Sequence, residues 1–83
     1  MGFVNLPVVI FERRRNGDTI EFRVRDWNNN IYVISNCHMT FSPFWHVHNY
    51  RSYFGNLSYN NQIFAVGFRV CPDNKRGYIY FRN

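Results

Sequence analysis

The chain predicts an α+β fold: a small twisted antiparallel sheet of about five strands, with one helix over residues 43–54 packed across it. Three observations lead there. The flanking segments alternate apolar and polar side chains with period two. Turns rich in Asn and Gly separate them, and the middle of the chain carries helix start and stop signals. With 83 residues the whole chain, 1–83, makes a single domain near the lower limit for a self-supporting core.

The middle, residues 41–54, is the largest apolar mass, with Phe41, Phe44, Trp45, Tyr50, Tyr53 and Phe54 in fourteen positions. Ser42 suits an N-cap, Pro43 the first helical position and Gly55 a C-terminal stop. Phe44, Val47, Tyr50 and Phe54 then share one stripe, interrupted by Arg51. Read as a strand, the same stretch puts Phe44, His46, His48 and Tyr50 on one face. The alternative fold is accordingly a small all-β barrel.

Before that stretch, residues 3–14 form a first extended segment in which Pro7 argues for an edge or a strand start. Residues 19–25 alternate with Ile20, Phe22 and Val24 inward and Glu21, Arg23 and Arg25 outward. Two registers fit the turn between them. An Asn16-Gly17 turn sets Glu12 against Glu21. A Gly17-Asp18 type II′ turn sets Arg14 against Glu21 and Glu12 against Arg23, and puts Phe11 on the face of Val24. Charge pairing selects the second. Asn28 to Asn30 make a turn, and residues 31–35 are a third strand. After the central stretch, residues 56–62 read as loop by composition, and residues 63–70 as a strand burying Phe64, Val66, Phe68 and Val70. A turn over 72–77 leads to a last strand, 78–82.

Ten Lys or Arg against five Asp or Glu give a net charge of +5, and nine of the ten cations are Arg. Arginine matches planar, bidentate partners such as phosphate and carboxylate. A basic balance of this size in a small domain favours a polyanionic partner. No apolar run approaches a membrane span, which leads us to expect no membrane partner and a cytoplasmic location. Cys37 and Cys71 are expected as reduced thiols.

The segment Arg76-Gly77-Tyr78-Ile79-Tyr80-Phe81 resembles the RNP1 signature of RNA-recognition and cold-shock domains. The basic residue, the glycine, Tyr78 and the second aromatic match. Ile79 stands where Gly or Ala is usual, and Asn83 where an aromatic is expected. The resemblance implies that Tyr78 and Tyr80 stack bases on one sheet face while a neighbouring cation takes phosphate. A second feature is the cluster of Arg13, Arg14 and Arg15 with Arg23 and Arg25, which the hairpin brings around one turn.

Cys37, His38, His46 and His48 are the metal-like set. On a helix His46 and His48 would lie about 160° apart and could not chelate together, and Cys37-His38 lacks the paired spacing of structural zinc. We expect no metal and no cofactor. The carboxylates sit in turns and charged strands without an apolar pocket to raise a pKa, so catalysis is not expected. The sequence reading is a non-enzymatic binding module with nucleic acid as the favoured partner. Its site would be Arg13, Arg14, Arg15, Arg23, Arg25, Lys75, Arg76, Tyr78 and Tyr80. The alternative is a protein-interaction module or inhibitor gripping an acidic protein surface with the same residues.

Overall fold

A computed structural model describes residues 3–40 and 50–82, with the side chains of Phe3, Val4 and Arg82 left aside. Those residues form six antiparallel strands, β1 Phe3–Asn16, β2 Thr19–Arg25, β3 Ile31–Thr40, β4 Arg51–Tyr59, β5 Gln62–Val70 and β6 Arg76–Arg82. Each strand pairs with the next, and β6 returns to β1, closing a barrel. This overturns the α+β expectation and leaves the all-β barrel. There is no helix among the described residues, and six strands replace the expected five.

The proposed helix over residues 43–54 fails where it can be examined; residues 43–49 lie outside the described residues. Arg51 to Phe54 begin β4, in which Tyr53, Gly55 and Leu57 are buried in strict alternation. Gly55 is not a helix stop. A Cβ there would meet the Cys37 Sγ at 2.7 Å and the Ser35 carbonyl oxygen at 2.8 Å, so only glycine fits at that inward position. Residues 56–59, expected as loop, continue the strand. The turn is only Asn60-Asn61, both at positive φ (51° and 62°), the pattern of a type I′ hairpin.

The first hairpin adopts the register that charge pairing selects. Arg14 faces Glu21, Glu12 faces Arg23, and Gly17 takes φ 63° at the first turn position. One detail differs: the register shifts between Ile10 and Glu12, so Ile10 rather than Phe11 faces Val24 and Phe11 is exposed. A second bulge lies between Ser35 and His38, with Asn36 at φ 54°.

The core is packed around Phe22, whose ring meets Tyr53 (5.1 Å between centroids) and Phe68 (4.9 Å) edge to face. Ile20, Val24, Ile34, Cys37, Val66, Val70 and Ile79 close around them. Room for Phe68 comes from Gly77, where a Cβ would approach the ring to 2.9 Å. Both cysteines are buried and free. Burial, helped by the charge of Glu21, pushes the Cys37 thiol up to about 12.

Calling the end with the Gly17 turn the upper end, the described residues pack closely around Phe22 and more loosely toward the lower end. β5 pairs β4 along its whole length but pairs β6 only from Gly67 to Val70. Among the described residues, 62–66 therefore have a strand on one side only. At that lower end Leu6, Tyr32, Tyr59 and Phe81 are half-buried, and Phe64, on the inward face, is 44% exposed.

Candidate functional site

Period two divides the last strand as its sequence suggests. Ile79 is fully buried, and Tyr78 and Tyr80 stand half-buried on the outer face. Register places Tyr78 beside Arg69 of β5, and Tyr80 beside Gly67. Gly67 in turn faces Phe54 of β4, which faces His38 of β3. One outward row thus reads Tyr80, Gly67, Phe54, His38. With Gly67 lacking a side chain, two strand spacings, about 10 Å, separate the backbones that carry Tyr80 and Phe54. Phe54 is 55% exposed. Arg69 lies between two rings, its guanidinium carbon 4.9 Å from the centroid of Tyr80 and 5.6 Å from that of Tyr50.

The basic residues sort into three sets. Arg25 and Arg76 both face Val9, from β2 and β6, so they flank it on the outer face just above Tyr78. Arg76 Nε lies 3.6 Å from Asp73 Oδ2, an exposed pair, and Arg25 has no ion-pair partner among the described residues. Arg14 and Arg23 are held by carboxylates. Arg14 Nη2 is 2.6 Å from Glu12 Oε2, and Arg23 Nε is 3.3 Å from Glu21 and 3.6 Å from Glu12. The cross-strand register is as expected, yet two of these three contacts run along one strand. Arg13 and Arg15 face Phe22 and Ile20, so they project from the opposite side of the hairpin to Arg14. They remain exposed, with no ion pair among the described residues, because β1 runs past the start of β6 beyond Val9. Lys75 sits in the β5–β6 connection, where its backbone N–H donates to Asp73 Oδ1. That bond, above all, holds the Asp73 carboxyl below its ordinary value.

Five clustered arginines are therefore not one patch. Arg25, Arg76, Tyr78 and Tyr80 lie along one outer face beside Val9, Pro7 and Asn5, while Arg13 and Arg15 face away from Arg14 and Arg23. The sequence reading missed Arg69, Gly67 and Phe54. The available signal was the outward positions of β5, where Gly67 and Arg69 interrupt an apolar strand. Among the described residues no three His, Cys, Asp or Glu side chains gather to hold a metal ion; His46 and His48 lie outside them. No protein-family model, curated protein or solved structure matches the chain.

The lower end of the barrel carries a separate polar network. Asp26 is buried, and its Oδ1 accepts from the backbone N–H groups of Asn28 (2.9 Å) and Asn30 (3.0 Å). Its Oδ2 accepts from Asn30 Nδ2 (3.1 Å) and the Tyr32 hydroxyl (2.9 Å). Desolvation pulls this carboxyl up, but the hydrogen bonds from Asn30, Tyr32 and Asn28 together outweigh it and hold it below its ordinary value. Tyr32, desolvated and bonded to a carboxylate, is pushed up to about 12. Its ring packs 4.7 Å from that of Tyr59, whose hydroxyl donates to Asn30 Oδ1.

Proposed function

We propose that the chain is a non-enzymatic module that binds single-stranded nucleic acid on the outer face of β4, β5 and β6. The observation that carries this reading is the row Tyr80, Gly67, Phe54, with Arg69 beside it and Arg76 above. Aromatic rings on an open sheet face stack bases of any identity. In the RNP1-like pattern a small residue lets the nucleotide approach; Ile79 is buried and cannot serve, but Gly67 on the neighbouring strand leaves the space. The stretch over Gly67 between Tyr80 and Phe54 is where a base would stack. Arg69, steadied against tyrosine rings, presents its N–H groups to phosphate, and Arg76 and Arg25 extend the cationic track. A net charge of +5 supports association with a polyanion.

Fluorescence anisotropy with mixed-sequence single- and double-stranded probes tests this. Single strands should bind more tightly, with affinity falling as salt rises. Tyr80→Ala and Phe54→Ala should each weaken binding by roughly 1–3 kcal/mol without changing the salt slope. Arg76→Gln and Arg25→Gln should each lower that slope by about one. If neither probe binds at protein concentrations on the order of tens of micromolar, the reading fails and an acidic protein surface becomes the partner to seek.

A further inference from the structure

The barrel does not fill its own lower end. A cavity of about 680 Å³ opens there between Leu6, Tyr32, Leu57, Tyr59, Phe64 and Phe81, with residues 63–66 as its wall. Its size falls within the range of small-molecule sites, roughly 300–1,000 Å³. Among the described residues no Asp, Glu, Lys, Arg or His lines it. The two tyrosine hydroxyls at its rim are already committed, to Asp26 and to Asn30. The Asp26 network thus fixes both rings as an aromatic wall and offers no spare charge. The side of the cavity is open, because β5 leaves β6 below Gly67. Along that opening the backbone of residues 62–66 has no strand partner on the β6 side among the described residues, and residues 62–65 are exposed there beside apolar surface.

We infer that this lower end binds a small, uncharged molecule with a largely apolar body and one polar end. The apolar body lies against Leu6, Leu57, Phe64, Phe81 and the tyrosine pair. The polar end takes hydrogen bonds from the free edge of β5. A charged end group is disfavoured because nothing in the lining compensates its loss of water. The site is distinct from the outer aromatic row, since Tyr80 and Phe81 point to opposite faces of β6.

N-phenyl-1-naphthylamine, a neutral apolar dye that brightens on leaving water, is the probe. Titrated with the full chain, it should show saturable binding at one site per chain, with a Kd on the order of 10 µM. Leu6→Trp, which fills the space, and Phe64→Lys, which puts a charge in it, should each weaken binding at least tenfold. Thermal unfolding of each variant reports whether it folds. Trp27→Ala, at an exposed apolar residue of the same end, should change nothing. As competitors, 1-dodecanol should displace the dye better than dodecanoate, although the protein's positive charge favours the anion. The inference is overturned by no saturable binding up to about 50 µM protein, by a loss with Trp27→Ala equal to that with Phe64→Lys, or by stronger competition from dodecanoate. Sedimentation showing a dimer that must be dissociated by Ile63→Lys before dye binds would assign the cavity to a second copy, and also overturns it.

Discussion

Among the described residues two strand edges of this barrel lack a neighbouring strand, and they are built in opposite ways. Beyond Val9, β1 runs on to Asn16 with β2 on one side and no β6 on the other. That edge carries Glu12, Arg13, Arg14 and Arg15. Residues 62–66 of β5 are likewise paired on one side, yet they read Gln-Ile-Phe-Ala-Val without a charge. Charges along an edge discourage a foreign strand from docking, whereas a bare apolar edge invites contact. The comparison separates a charged edge that repels a foreign strand from an apolar edge that does not. Core packing follows the same division, tight around Phe22 and open around Phe64.

The sharpest way to break the comparison is to truncate a ring in each half. Phe22→Ala removes a fully buried ring that meets Tyr53 and Phe68, and should cost about 4 kcal/mol in a denaturant titration. Phe64→Ala, at a half-open site, should cost about 1 kcal/mol or less. Equal losses would mean that the lower end is packed as tightly as the upper. Next in size, Gly77→Val should destabilise by roughly 2–3 kcal/mol, because its Cβ meets the Arg69 carbonyl oxygen at 2.6 Å and the Phe68 ring at 2.9 Å. The same change at exposed Ala65 should stay within about 0.5 kcal/mol.

Asp26 sharpens the account of the lower end through pH. Its carboxyl is depressed in the folded protein, so its contribution is complete above its unfolded value, near 3.9, and is lost as pH falls through the folded one. The melting temperature of the parent should exceed that of Asp26→Asn at pH 7, and the gap should close below about pH 4. A gap independent of pH would point to packing rather than ionisation. Smallest of all, Glu12→Gln removes the partner of Arg14 and Arg23, whose side chains are 64% and 41% exposed. A change above about 1 kcal/mol in chemical denaturation would show that the hairpin network matters more than exposed ion pairs do.

Much of this was legible wherever neighbours in sequence decide the outcome. Alternation in β2 and β5 placed Phe22, Val66 and Phe68 inside, and opposite charges at Glu12, Arg14, Glu21 and Arg23 fixed a hairpin register. The helix failed because Gly55 has the same local appearance as a helix stop. Its real role, giving way to Cys37 and Ser35, depends on a strand 18 or more residues earlier. Polar Asn56 and Ser58 read as loop, although they are simply the outward positions between Gly55, Leu57 and Tyr59. Of the candidate site, Tyr78, Tyr80 and Arg76 came from the resemblance to the RNP1 signature, with period two setting both tyrosines on one face. Gly67 and Phe54 join them only through pairing between strands, and the cavity arises from where β5 parts from β6, which no local pattern records.

Amide hydrogen exchange along β5, read residue by residue by NMR, tests the central claim that β5 is paired on both sides from Gly67 to Val70 and on one side below. Amides of residues 67–70 should all be protected. Among residues 62–66, those directed toward β4 should be protected and those directed toward β6 should exchange at least ~100-fold faster. Uniform protection from Gln62 to Val70 would contradict the open lower end, and with it both the free edge and the cavity beside it.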